Sequence, residues 1–345
     1  MRFDPQNILV IDFGQLGDVV LSLPALRALR NKFPHARITV AVGKPGAEII
    51  KLSGYSDAQL EVDRVALRDG NKLVSIGRII KLIGQVRSGK FDFVVDLHSL
   101  SETNLLGFLS GAPHRLYSRR PGRSLDYLSN FTPRPPAEAK NSHLVDRYLD
   151  VLKPLGIENP ARRPYLKTSA SADQAIEALL KKEKADTGEL LVGLFPGSGH
   201  AGRRWPIEKF AELADYLTRN NRVRVIVFVG PEERELIPTM RPLFQPTTLF
   251  FDKLTIPQLA SAQARLTLFV SNDTGPMHVA AAVGTSVIVL MDRPTPHVFV
   301  PIGDQHRLIF SRAVGEISVA EVYKVAHEVL ASNRTDQLFS FSEQR

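Results

Sequence analysis

Three stretches of this sequence carry the residue types that do chemistry. The first is Gly14-Gln15-Leu16-Gly17-Asp18, directly after the apolar run Ile8 to Phe13. A carboxylate at such a strand-to-helix junction either caps the helix or faces a substrate as a general base. The second is Pro196-Gly197-Ser198-Gly199-His200-Ala201-Gly202-Arg203-Arg204, which offers bare amides and guanidiniums. Those groups hold a diphosphate, or they are a solvated surface loop. The third runs from Leu266 to Met291 and reads strand, turn, helix, strand. Its turn, Ser271 to Pro276, has Asp273 or Thr274 as the cap, Gly275 as exposed backbone and His278 in the first helical turn. Pro276 suits that turn, where its missing N–H costs nothing. A helix start of this kind is a ready phosphate site. A further strand, Phe91 to Leu97, ends in Asp96, with His98-Ser99 just beyond. For the pair Asp96 and His98 a structural hydrogen bond or a contact to a substrate ranks ahead of catalysis.

The elements that position these groups alternate strand and helix along the chain. Arg37 to Val42 is a strand, and Leu73, Ile76, Ile79, Ile80, Ile83 and Val86 form one face of a helix. Pro24 stands too far in for the first turn of a helix starting at Asp18, so a short turn and a helix capped by Ser22 are expected. Arg115, Arg119, Arg120 and Arg123 crowd one loop. Residues 156–171 lack periodicity and carry Pro160 and Pro164, which marks a linker. After it the same plan restarts at Leu190, and Trp205 is expected to pack its loop rather than stack on a base. Ser318 caps a last helix to Leu330, and the polar tail beyond is expected to be loose. The pattern predicts an α/β protein of two doubly wound parallel sheets facing each other, with the loops at the carboxyl ends of the strands converging on a cleft.

Composition narrows the chemistry. The chain has 345 residues, 43% hydrophobic and 23% charged, as expected of a soluble two-domain protein. It has no cysteine, which excludes disulfides, thiolate catalysis and Cys-bound zinc. No signal peptide and no membrane span are read from it, consistent with a cytoplasmic protein. The net charge of +8 suits an anionic partner, but no nucleic-acid module is present. The first loop is G-x-x-G-D rather than G-x-G-x-x-G, and Val42-Gly43-Lys44 supplies no acid for a ribose, which argues against a nicotinamide dehydrogenase. There is no P-loop and no D-x-D, so a diphosphate would be met by Arg, His, backbone N–H and helix dipole.

Taken together, Gly17-Asp18 with Leu23-Pro24-Ala25-Leu26, Phe91-Asp92 to His98, Pro196-Gly197-Ser198 to Pro206, and Asp273-Thr274-Gly275-Pro276-Met277-His278-Val279-Ala280-Ala281 resemble glycosyltransferase family nine, the ADP-heptose:lipopolysaccharide heptosyltransferases. The resemblance spans nearly the whole chain. It implies a GT-B fold, with an acceptor-binding Rossmann-like domain at 1–165 and a nucleotide-sugar-binding one at 166–345, and a final helix, 318–332, that packs back on the first. It implies inverting transfer of heptose from ADP-heptose to an anionic lipopolysaccharide precursor, without a metal ion or other cofactor. Asp18 matches the catalytic base. Ser198, Gly199, Arg203, Asp273, Thr274, Gly275 and His278 match donor contacts, and Glu232 or Glu233 a nucleoside contact. Gly17, Asp96, His98, Arg115, Arg119, Arg120 and Arg123 are assigned to the acceptor side. Arginine stands at 203 where the family usually has lysine, and Gly199 replaces a frequent hydroxyl. The implied setting is the cytoplasmic face of the inner membrane, on an anionic surface, with neither nucleic acid nor an obligate protein partner. Two alternatives stay open: the same fold with another nucleotide sugar or acceptor, and a non-catalytic nucleotide- or glycan-binding protein.

Overall fold

Short β-branched runs with no polar alternation form strands that are buried on both faces, and such strands pair in parallel. The computed structural model describes residues 3–63, 72–120, 122, 124–185, 188–221, 223–293 and 295–342. The chain forms two units, Met1–Tyr165 and Leu166–Arg345.

In the first unit the strands are β1 (Asn7–Asp12), β2 (Arg37–Gly43), β3 (Ala58–Val62), β4 (Phe93–Asp96) and β5 (His114–Tyr117). They form a parallel five-stranded sheet in the order β3-β2-β1-β4-β5. Val10 lies opposite Val40 on one side and Val95 on the other. The order reverses between β1 and β4, and a sheet of this type takes ligands beyond the carboxyl ends at that reversal. Asp12 to Asp18 and Asp96 to Ser99 are the two loops there.

The second unit repeats the logic with β6 (Leu190–Phe195), β7 (Val223–Phe228), β8 (Leu249–Phe251), β9 (Leu268–Asn272), β10 (Ser286–Met291) and β11 (Arg307–Phe310). Its six parallel strands run β11-β10-β9-β6-β7-β8, and the reversal falls between β6 and β9. The glycine–arginine loop and the Asp273–Gly275 turn leave the sheet at that point. An apolar layer covers each face of this sheet, one holding Leu194, Trp205, Phe210 and Leu290, the other Phe228, Phe269, Met277 and Val289.

The structure departs from the sequence pattern in three elements. The helix Leu16–Lys32 is continuous through Pro24. Ser22 does not cap it; its buried hydroxyl donates to the Val19 carbonyl at 2.9 Å. Pro24 cannot donate to the Val20 carbonyl, but Val19, Val20, Leu21, Leu23, Leu26 and Leu29 are all buried, and that packing outweighs the lost bond. The helix Lys72–Ser88 buries Val86 but leaves Ile76, Ile79 and Ile80 exposed. The last helix runs from Val319 to Ser342, well into the tail expected to be loose. Ser318 does accept from Glu321 N–H at 3.2 Å, and Val322, Ala326, Val329 and Leu330 pack into the second unit's core.

Gly193 sits in the middle of β6, where an added Cβ would lie 2.5 Å from Leu266, 2.7 Å from Phe269 and 3.0 Å from Phe228. Gly193→Ala is expected to destabilise the protein by about 1–3 kcal/mol through overpacking, read from the urea midpoint. An unchanged midpoint would mean that this core repacks freely.

Candidate functional site

In the second unit the site begins with Asn272, the last residue of β9, which is fully buried. Its amide nitrogen donates to the Pro196 carbonyl at 2.8 Å, and its carbonyl oxygen accepts from Trp205 N–H at 3.0 Å. One carboxamide therefore pins both ends of the glycine–arginine loop to the strand beside it. Trp205 is buried, packs edge-on against Phe210 at 4.9 Å and donates its indole N–H to the Ile317 carbonyl at 2.9 Å. It packs the loop, as the sequence reading has it.

The two arginines of that loop differ in employment. Arg204 donates twice to the Ser198 carbonyl, at 3.0 and 2.8 Å, and lies 3.7 Å from Glu233. Arg203 fixes the chain by its backbone, donating N–H to the His200 carbonyl at 2.9 Å, while its guanidinium has no hydrogen bond or ion pair among the described residues. Glu232 is exposed and Glu233 is buried against the loop. Burial raises the Glu233 pKa, the Arg204 guanidinium opposes that rise, and the Glu232 charge adds to it. Gly197 is glycine because a Cβ there would come within 2.5 Å of the Glu233 carboxyl carbon. Gly199 is exposed and faces open space. Glu233 was ambiguous in the sequence because burial of one acid in an adjacent pair has no local signature.

The helix Gly275–Ala282 starts without a side-chain cap. Thr274 holds the N-cap position, with φ −155° and ψ 163°, but its hydroxyl makes no capping bond. Asp273 pairs with Arg293, whose guanidinium lies 4.5 Å from the Phe299 ring. The expected cap is therefore corrected: Arg293 draws the acid away, and the Gly275 end keeps its helix-start character. Gln263 braces the helix by donating to the Pro276 carbonyl at 3.1 Å, and His278 is buried one turn in. Arg293 has no sequence signal beyond its place at the end of β10. An anion at this loop pair would meet a guanidinium, loop amides and the positive end of a helix.

In the first unit, Asp18 stands in the first turn of its helix, half-buried, and accepts from Gln15 N–H at 3.0 Å. Capping thus fixes the carboxylate that the sequence reading assigns to catalysis. The turn before it is tight. A Cβ on Gly14 would lie 2.5 Å from the Asp18 Cβ and 3.0 Å from Asp12 Oδ1, and Gly14 N–H donates to that same oxygen at 3.0 Å. Gly17 is buried behind the turn. Asp12 is fully buried, and His98 Nδ1 lies 3.8 Å from it. Sequence reasoning passed over Asp12, although an acid ending the all-apolar run ILVI was its signal.

Asp96 is wholly buried; it accepts from Ser99 N–H and from the Asn104 amide, each at 2.7 Å. Burial pushes its pKa up to about 7, against the pull of those donors and of Thr103, and the Asp12 charge adds to the rise. It builds the turn after β4, leaving His98 as the more accessible member of the pair. Tyr148, also missed, is buried beside these acids: burial, then Asp12 and Asp18, hold its pKa well above the usual phenol range.

The arginine cluster divides as well. Arg115 donates to the Ala112 and Leu128 carbonyls. Arg120 pairs with Glu138, which Arg147 also binds, and donates to the His98 carbonyl at 2.8 Å. Burial alone would raise the Glu138 pKa, but the two guanidiniums leave it lowered. Arg119 is exposed, with no side-chain partner among the described residues. Arg123 lies outside the described residues.

Two outcomes follow from these placements. Arg203→Ala should weaken nucleoside-diphosphate binding by about 1.5–3 kcal/mol in calorimetry and leave the melting temperature unchanged. Arg204→Ala should lower the melting temperature, because it strands the Ser198 carbonyl and Glu233. Equal behaviour of the two variants would contradict this division. For Asp96, the folded pKa of about 7 lies above the 3.8 of an ordinary aspartate, so the folded state holds the extra proton between those values. Stability should fall as pH rises through that window and level off above it. Asp96→Asn should flatten that part of the curve of urea midpoint against pH.

Comparison with known proteins fits this geometry. Residues 79–322 match the family model described as glycosyltransferase family 9 (heptosyltransferase). Lipopolysaccharide heptosyltransferase 3 of Escherichia coli is 26% identical over 293 residues, 82% of each chain. A family 9 glycosyl transferase from Veillonella parvula superposes with a TM-score of 0.85 at 23% identity, covering 96% of this chain and 99% of that one. The Escherichia coli heptosyltransferase WaaC, solved with ADP-2-deoxy-2-fluoro heptose, gives a TM-score of 0.73 at 21% identity, covering 94% and 99%. These likenesses establish the GT-B fold. The chain is a glycosyltransferase and belongs to glycosyltransferase family 9.

Proposed function

We propose that this enzyme transfers a heptose from ADP-heptose to the inner core of a lipopolysaccharide precursor, with inversion and without a metal ion. The observation that carries the reading is the Arg203 guanidinium, without a hydrogen bond or ion pair among the described residues, on one loop of the β6–β9 reversal, with the uncapped helix start at Gly275 on the other. The relative named a lipopolysaccharide heptosyltransferase supports the sugar and the acceptor.

In this reading the second unit holds the donor. Arg203, Thr274, Gly275, His278 and the amides at Ser198 and Gly199 take the diphosphate. Asp273 orders the turn through Arg293. Glu232, exposed at the end of β7, is the acid that reaches the nucleoside, while Glu233 shapes the loop from behind. The first unit holds the acceptor. Asp18 takes the proton from the acceptor hydroxyl as its oxygen forms a bond to the anomeric carbon. The bond from that carbon to the diphosphate oxygen breaks with its electron pair. Attack opposite the leaving group inverts the centre. The new charge on ADP is met by Arg203, the loop amides and the helix dipole. Arg119 meets the acidic groups of the acceptor, with Arg115 and Arg120 holding its loop. The acceptor is lipid-borne, which sets the work at the cytoplasmic face of the inner membrane. No helix among the described residues is long and apolar enough to cross a membrane.

Asp18→Asn should reduce the transfer rate by about 10²–10⁴-fold, the usual worth of a general base, while calorimetry still shows ADP binding. Near-full activity in that variant would remove Asp18 from the reaction. In a thermal-shift series, ADP-heptose should stabilise the protein more than UDP- or GDP-sugars. A preference for UDP-sugars would keep the class and change the donor. A rate lost on chelation and restored by magnesium would overturn the metal-free mechanism.

A further inference from the structure

The helix Lys72–Ser88 is more apolar than its packing requires. Val86 is buried, and Leu82 and Ile83 pack against the core from its edge. Ile76, Ile79 and Ile80 point away and are 53%, 44% and 64% exposed. The neighbouring helix Ser101–Leu109 packs alongside it, on the same layer of the first sheet, and adds Leu105 and Phe108 at 44% and 45% exposure. Tyr127, in the turn packed on that second helix, is 69% exposed. A contiguous apolar surface on a folded domain marks an interaction site.

The charge around it selects the partner. The helix Lys72–Ser88 has no acidic residue in its 17 positions and carries Arg78, Lys81 and Arg87 exposed. Ile76, Ile80 and Arg87 fall on one stripe, spaced four and seven residues apart. The second helix contributes a single acid, Glu102, and the Arg115 guanidinium lies over the Phe108 ring at 5.4 Å. Aliphatic side chains rimmed by cations, with a tyrosine at the margin, suit the headgroup boundary of an anionic membrane. We propose that this face, with Ile76 and Ile80 at its centre, docks the enzyme on an anionic lipid bilayer. The helix then lies in the plane of the interface, its isoleucines among the acyl chains and its cations at the phosphates. The proposal deepens the reading of a lipid-borne acceptor and rests on it for its purpose.

Its test uses neither acceptor nor sugar nucleotide, so it fails or succeeds independently of the transfer reaction. The full chain is sedimented with vesicles of phosphatidylglycerol and phosphatidylethanolamine, and separately with phosphatidylcholine vesicles. Affinity for the anionic vesicles should be higher by about tenfold or more and should fall as salt is raised. The double variant Ile76→Ser/Ile80→Ser should lose about tenfold in vesicle affinity with an unchanged melting temperature. Lys81→Glu/Arg87→Glu should abolish the preference for anionic lipid. No vesicle binding, equal binding to both compositions, or wild-type binding by the isoleucine variant would each overturn the proposal. So would a dimer in solution that the isoleucine variant dissociates, because a second copy would then occupy this face.

Discussion

The second unit depends on one buried carboxamide. Asn272 ends β9 and reaches across to β6, where it satisfies the Pro196 carbonyl and the Trp205 N–H together. An amide is suited to that task because it donates and accepts from one rigid plane. An aspartate could not donate to Pro196, and a leucine would strand both backbone groups in a place that water does not reach. Everything proposed for the diphosphate hangs from this link. It sets where the loop leaves the sheet and returns, and so where Arg203 stands relative to the helix start at Gly275. Trp205 extends the brace to the Ile317 carbonyl, tying the approach to the final helix into the same frame.

The first unit solves a different problem, the burial of acids. Asp12 and Asp96 are both inaccessible to solvent and repel one another. Each is held by backbone N–H groups, Gly14 for Asp12 and Ser99 for Asp96. The arrangement turns carboxylates into scaffolding for the two loops at the strand reversal, and it leaves Asp18 and His98 as the groups nearer solvent. Glu138 does the same service for Arg120 and Arg147, which in turn support the loop carrying Arg119.

Much of this was legible in the sequence. The alternation of apolar runs and helices predicts two parallel sheets, and the loops carrying Asp18, Asp96, Arg203 and Asp273 lie at the two reversals of strand order, while the arginine loop follows the edge strand β5. What local pattern could not supply was employment. Arg203 and Arg204 are adjacent and chemically identical, yet only the fold decides that one serves the Ser198 carbonyl while the other has no partner among the described residues. Thr274 is a good capping residue whose hydroxyl does not cap, and Asp273, the other candidate, is taken by Arg293, twenty residues further along. Pro24 misled for a related reason: burial along the whole helix Leu16–Lys32 outweighs one missing hydrogen bond. The isoleucines of the helix Lys72–Ser88 were correctly placed on a helix, but periodicity does not say whether an apolar face meets a core or something outside the protein.

The contact between Glu233 and its two glycines has an evolutionary side. A Cβ at Gly197 would fall 2.5 Å from the Glu233 carboxyl carbon, and one at Gly230 would fall 2.7 Å from its Oε2. The acid fills the space that the two absent side chains leave, so the three positions form one steric unit. A lineage can change one of them only by changing another, for instance by shortening the acid to aspartate before either glycine gains a methyl group. Where related chains drift at this loop, the three positions should move together, whatever becomes of the residues that face the ligand.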